Sequence, residues 1–372
     1  MNVRPLPSPR RFRVDDIELV HVADVELDDD ELITFRTRSG TEYDVVRKAW
    51  GYYPLPSLNR RLPAHGLRPV LVRAADGRTM LLLCESGLEA EVEQYLAGRQ
   101  LEMLGWLDRD GCPMCGGLRL DLWHRYRAPP EGETHFELHG RPYDREVMRC
   151  TGCGHFVSST ELDLSHLYER DYVDSTYGDR LTAAYERVMG LPSGQSDNVA
   201  RVARIVDELG SGGTVLDVGS GLGVFPAQMH GAGWTVTALD PDARACQHLR
   251  SRIGATTIQA DFLKADIDSL GTFDVVTFNK VLEHVEAPVT MLARAAAVLC
   301  DAGVVYIELP DGEAAAQEGP GREEFFIEHL HVYSMASIAL LIRRAGLRAR
   351  RIERLREPSA KFTLFAFCER AS

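Results

Sequence analysis

A chain of 372 residues, 45% hydrophobic and 26% charged, has ordinary globular composition; this excludes wholesale disorder and fibrous or collagen-like architectures and leaves room for two or three domains. A formal charge of −13, from 55 acidic against 42 basic side chains, opposes polyphosphate, so no nucleic-acid partner is expected. No apolar run reaches the roughly eighteen residues of a membrane span and MNVRPLPSPRRFRVDD lacks a signal-peptide core, so a soluble, cytoplasmic protein is expected.

Residues 1–108 open on a Pro- and Arg-rich tail, followed by strand-like segments at Ile17–Val22 and Leu32–Thr37. GYYPLPSLNRRLPAHG, broken by three prolines, is expected to be an ordered loop. Val70–Arg73 and Met80–Leu83 flank Asp76-Gly77 and read as a hairpin, with a helix after it over Leu88–Leu96. This region is expected to be a small α/β accessory module with no chemistry of its own.

Residues 109–160 contain Cys112-Pro-Met-Cys115-Gly and Cys150-Thr-Gly-Cys153-Gly, separated by 34 residues. Two thiolates three positions apart reach one metal when the chain turns sharply, and the glycine after each pair permits that turn. Four sulfur ligands close the coordination sphere, so Cys112, Cys115, Cys150 and Cys153 are expected to hold a structural Zn2+ in a zinc ribbon, ahead of a disulfide, redox or iron–sulfur alternative. Residues 161–197 read as a helical cap or linker carrying Tyr168, Tyr172, Tyr177 and Tyr185, whose better reading is packing.

From residue 198 to 372 helix and strand alternate, the pattern of parallel βαβ units. Thr214-Val-Leu-Asp217-Val-Gly219-Ser220-Gly221-Leu-Gly223 is an apolar strand running into a glycine turn before a helix. The spacing is GxGxG with Val224 where a dinucleotide fingerprint needs glycine, and pyrophosphate would gain nothing from Asp217. A cationic ligand would. The next strand ends in Asp240-Pro241, 21 residues beyond Gly219, where a carboxylate accepts ribose hydroxyls. The following one ends in Asp261-Phe262, suited to an adenine amino group and ring face. Phe273–Asn279 then delivers the Asn279 amide to the same rim.

Through LDVGSGLG, TALDPD, QADF and FDVVTFNKVLEHV, residues 198–370 resemble the class I S-adenosylmethionine-dependent methyltransferases. The resemblance implies a Rossmann-like sheet of seven strands ending in an antiparallel one, with helices on both faces. It implies S-adenosyl-L-methionine as cofactor, its methionine part in the turn from Asp217 to Gly223 and beside Asn279, its ribose on Asp240, and its adenine at Asp261 and Phe262.

Methyl transfer to oxygen needs an aligned nucleophile and a group to take the hydroxyl proton. FFIEHLHVYS places Glu328, His329 and His331 beyond the fifth strand. His329 is the preferred base because imidazole titrates near neutrality, with Glu328 orienting it or holding a substrate hydroxyl; His284, in VLEH, is second. A zinc ribbon, this domain and an EHL segment together resemble the sugar C-methyltransferases of deoxysugar pathways, but Phe326 stands where that group commonly has tyrosine. GYYPLPSLNRRLPAHGLRPVLVR, EQYLAGR and GWLDRD resemble instead the actinobacterial methyltransferases of the mycofactocin oligosaccharide, which implies O-methylation of a sugar hydroxyl on a small-molecule or glycan acceptor. Sugar C-methylation, nucleic-acid methylation and a non-catalytic binding module are the alternatives; Asn279-Lys-Val-Leu lacks the Asn-Pro-Pro-aromatic motif of base methylation.

Overall fold

The computed structural model describes residues 2–14, 17–54, 61–108, 111–133, 141–160, 162 and 181–371. The chain divides into two compact units, Met1–Gly111 and Cys112–Ser372.

In the first unit, the Pro- and Arg-rich start is not a tail. Asn2–Val14 pairs antiparallel with Ile17–Glu26, and the register slips between Pro5 and Arg10, where prolines supply no N–H to the ladder. Leu32–Arg36, Glu42–Lys48 and Gly51–Pro54 form a second sheet, so the start of the presumed loop is an edge strand ending at a proline; residues 55–60 lie outside the described residues. The expected hairpin forms between Leu67–Arg73 and Thr79–Glu85. Glu102–Trp106 joins its other edge, and Val70 and Val72 pack with Leu96 of the helix Glu89–Gly98.

The second unit opens with Leu120–Tyr126, Arg145–Cys150 and Phe156–Thr160 in an antiparallel sheet that carries the paired cysteines at its turns. A two-residue strand from far along the chain, His331–Val332, pairs with Val157 and Phe156 and closes this sheet. Tyr168, Tyr172 and Tyr177 lie outside the described residues. Tyr185, in the helix Leu181–Met189, is buried edge-on against His248, as a packing residue would be.

The remainder is one mixed sheet of seven strands: β1 Thr214–Val218, β2 Thr235–Asp240, β3 Thr256–Gln259, β4 Phe273–Asn279, β5 Leu299–Pro310, β6 Leu347–Arg356 and β7 Phe362–Arg370. The spatial order is β3-β2-β1-β4-β5-β7-β6, and β7 alone runs antiparallel to its neighbours. Strands buried on both faces are mostly apolar: every residue of β1 except Thr214 is buried, and so are the last eight of β5, with Asp217 and Glu308 the buried charges among them. Around them lie α1 Asp197–Leu209, α2 Val224–Gly231, α3 Ala243–Ile253, α4 Pro288–Ala295, α5 Gly312–Glu318 and α6 Met335–Arg344. Ser196 caps α1 by accepting from the Val199 amide, and Ser334 with Ser337 makes a reciprocal capping box at α6.

Two features tie the elements together. Glu308 on β5 is fully buried and accepts from Arg201 and Arg204 of α1, so the helix sits on the sheet through a paired buried charge. The ribbon is joined to the sheet domain by the Ser334 hydroxyl, which donates to the Cys153 carbonyl, and by buried His155, whose Nε2 lies 3.2 Å from His331 Nδ1. The strand order reverses between β2 and β4, around β1, and open α/β sheets bind ligands at the carboxyl ends flanking such a reversal.

Candidate functional site

At that reversal β1 runs into the glycine turn. Gly219 has φ +74° and a Cβ there would lie 2.7 Å from Val281 Cγ2, so a side chain is excluded by backbone and neighbour alike. Gly221, by contrast, has only the Gly219 carbonyl within reach, at 4.0 Å, so this part of the turn faces open space where a ligand can lie on the backbone. The Ser220 hydroxyl does not face that space; it donates to the Asp217 carbonyl at 2.9 Å, and Gly223 N–H closes the turn on the Ser220 carbonyl.

Asp217 is buried beneath the turn, with Oδ1 accepting from Thr277 Oγ1 at 2.6 Å and Asn279 Nδ2 at 2.9 Å. Burial pushes its carboxyl up to about 6 against these hydrogen bonds. The Asn279 amide is therefore oriented by Asp217, and its Oδ1 is buried without a hydrogen-bond partner, an acceptor available to an ammonium group. Asp240 accepts from Gly221 N–H at 2.8 Å on one oxygen and Asp242 N–H at 2.9 Å on the other. Each oxygen keeps a second lone pair, the requirement for a pair of vicinal hydroxyls. Pro241 is exposed beside it. Asp261, half-buried at the end of β3, accepts from Leu263 N–H and pairs with Lys264 at 3.2 Å. The donor and acceptor set thus suits a nucleoside with an amino-acid tail.

Phe262 differs from expectation. Its ring is buried in the core, edge-on to Phe278 at 5.8 Å and under the Arg294 guanidinium, instead of standing at the rim as a stacking face. The Arg294 side chain also donates to the Phe262 carbonyl, which fixes the backbone next to Asp261.

On the other side of the turn, the segment after β4 meets the segment after α5. Leu330 N–H donates to the Glu283 carbonyl at 2.8 Å, and the Tyr333 hydroxyl to the Leu282 carbonyl at 3.3 Å. This brings His284 and His329 together with ring centroids 4.9 Å apart. His329 Nδ1 lies 2.8 Å from the Glu324 carbonyl and His284 Nδ1 2.9 Å from the Glu328 carbonyl. A carbonyl only accepts, so both rings carry their proton on Nδ1 and their lone pair on Nε2. Burial, and for His329 the neighbouring His284, holds both rings below the usual histidine range and therefore neutral. Glu328 meets His284 through its backbone carbonyl, and burial raises its carboxyl. His331 is turned away, buried in the contact with His155 of the ribbon, and burial lowers it to about 4.

Sequence reasoning passed over Glu283. Its carboxylate is fully buried, neither oxygen has a hydrogen-bond partner, and it stands with the imidazoles of His284 and His329, with one ligating atom from each of the three within 4.8 Å of the others. Its signal in the sequence was only its adjacency to His284.

The four cysteines also converge. Cys112 Sγ and Cys153 Sγ are 3.5 Å apart, as are Cys115 Sγ and Cys150 Sγ, too long for disulfides and close to the edge of a tetrahedron of thiolates around one ion. Each knuckle closes alike: Gly116 N–H on the Cys112 carbonyl and Gly154 N–H on that of Cys150, both glycines at φ +73°.

Residues 193–352, a little under half the chain, match the family model described as a methyltransferase domain. Over 98 residues the chain is 31% identical to the ubiquinone biosynthesis O-methyltransferase of Nitrosomonas europaea, covering 25% of this chain and 42% of that protein. Over 100 residues it is 33% identical to the one from Vibrio parahaemolyticus, covering 26% and 43%. The chain thus spans less than half the length of the curated relatives it matches. Among solved structures, the 1,6-didemethyltoxoflavin-N1-methyltransferase of Burkholderia thailandensis, crystallised with S-adenosylhomocysteine, is 20% identical with a TM-score of 0.43, covering 66% of this chain and all of that one. The magnesium protoporphyrin IX methyltransferase of Synechocystis PCC 6803 is 19% identical with a TM-score of 0.41, covering 54% and 98%.

Proposed function

We propose that this chain, which carries a class I S-adenosylmethionine-dependent methyltransferase domain, methylates a hydroxyl of a sugar or glycoside. The observation that carries the reading is the rim itself: an open turn at Gly221, the paired acceptor Asp240 and the unpartnered Asn279 Oδ1 around one strand-order reversal. The cofactor supplies a methyl group on a sulfonium. Asp240 binds its ribose, Asn279 and the Asp217 carboxylate beneath it receive the ammonium end, and Asp261 accepts from the adenine amino group. The acceptor hydroxyl enters from the side of His284 and His329, which polarise or take its proton.

Oxygen as the methylated atom is supported by relatives that are themselves named O-methyltransferases. A sugar acceptor, with the mycofactocin oligosaccharide as first candidate, rests on the resemblance of the first hundred residues and the EHL segment. The lack of a phenol at Phe326 weighs against the C-methylating alternative. Cys112, Cys115, Cys150 and Cys153 hold a structural Zn2+, and unbridged thiols suit a reducing, cytoplasmic setting. The test is incubation of purified protein with labelled S-adenosylmethionine and a panel of glycosides. A labelled methyl ether on a glycoside is the expected product; label only on nitrogen acceptors or on RNA would overturn the reading.

A further inference from the structure

Glu283, His284 and His329 form a constellation that methyl transfer by a simple base leaves unexplained. A fully buried carboxylate with two oxygens lacking any hydrogen-bond partner is costly in a folded protein, and buried charges survive when they are paired or coordinate a metal. The nearest opposing charge is the buried Lys280, whose ammonium acts on Glu283 without hydrogen-bonding to it and donates instead to Thr363 Oγ1. What stands beside it instead is two imidazoles, each with Nδ1 held by a backbone carbonyl and its lone pair on Nε2. Metal-bound histidines are held in this way, because the outer hydrogen bond fixes both the tautomer and the ring.

We propose that Glu283, His284 and His329 bind a divalent first-row cation at the acceptor side of the rim, separate from the four-cysteine site. The three ligating atoms lie within 4.8 Å of one another, and bonds of about 2.0–2.2 Å draw ligands to roughly 3–4 Å, so a closure of about 1 Å completes the site. One carboxylate and two imidazoles leave coordination positions open, the arrangement of a working centre as opposed to a closed structural one. Resting on the methyltransferase reading, the cation's role is to bind the acceptor hydroxyl and lower its pKa. The hydroxyl proton leaves to water. An oxygen lone pair then forms the C–O bond as the C–S bond breaks with its electron pair on sulfur, giving a methyl ether and S-adenosylhomocysteine. His329 acts as a ligand in this step, and the alkoxide is generated without an imidazolium.

The test uses the full chain with the cysteine site saturated with zinc and Mn2+ as the probe, followed by loss of the free-ion electron paramagnetic resonance signal. Wild type is expected to take up one Mn2+ per chain and to melt at a higher temperature with it. Glu283→Gln and His329→Gln are expected to bind at least tenfold more weakly, with zinc content unchanged. Glu283→Gln replaces a buried carboxyl that has no hydrogen-bond partner, so without Mn2+ it should melt close to wild type; were it to misfold, the His329→Gln comparison decides. No uptake by wild type, or equal uptake by wild type and a folded variant, would overturn the site. Calorimetry with S-adenosylmethionine separates the two readings: cofactor binding without Mn2+ uptake sinks only the cation site, and the converse sinks only the methyltransferase assignment.

Discussion

In the proposed function Asp240 is the residue on which cofactor affinity most depends, because its two oxygens both hold the turn and would offer acceptors to the ribose. Hydrogen bonds to a charged group contribute about 1.5–3 kcal/mol, so Asp240→Ala should weaken S-adenosylmethionine binding by roughly ten- to a hundredfold by calorimetry, with Asp240→Asn between. Asp217 supplies the pH dependence. Its folded-state pKa is about 6 against an unfolded 3.8, raised by burial, so the unliganded fold binds the extra proton between those values and loses that stabilisation as pH rises through 6. A cationic ligand prefers the carboxylate, so affinity should fall as pH drops from 7 to 5, and Asp217→Asn should flatten the profile. Equal slopes for the two proteins would remove Asp217 from cofactor binding. These acidic residues were readable in the sequence because strand ends in a parallel sheet share one rim; Glu283 was not, because its burial and lack of a partner arise from segments some forty residues apart.

At the scale of elements, the ribbon and the segment that carries His329 depend on each other. His331–Val332 is at once the last strand of the ribbon sheet and the continuation of the segment that holds His329. Cys150→Ser should therefore release the zinc, measured by atomic absorption, and also lower the melting temperature and slow methyl transfer, although Cys150 touches neither ligand. Loss of zinc with an unchanged melting temperature and rate would show that the ribbon only decorates the fold. The short pairing could not have been foreseen: two residues carry no periodicity, and Phe156 and Val332 meet only once the sheet domain has folded.

Across the whole second unit, α1 is fastened to β5 through Arg201, Arg204 and Glu308. The two guanidiniums hold the Glu308 carboxyl down to about 2 despite burial, so the stability it contributes is complete above about 4.5 and is lost as pH falls from there toward 2. Glu308→Gln leaves the buried Arg201 without its carboxylate, while Arg204 keeps Glu357, and should cost about 3–5 kcal/mol in urea unfolding, with the acid limb of the pH–stability curve flattened. The sequence by itself determined the alternating strands and helices, the glycine turn, the acidic strand ends and the paired cysteines, because each is a local pattern whose physics acts within a few residues. It also misled locally: proline and arginine at the start read as a tail, whereas the pairing of Asn2–Val14 with Ile17–Glu26 accommodates them by slipping register between Pro5 and Arg10. Tertiary structure decided what depends on distant neighbours: that Phe262 faces the core, that His331 belongs to the ribbon contact, and that a buried carboxylate waits beside two oriented imidazoles. Burial and tautomer are properties of an assembled environment, and no run of residues contains them.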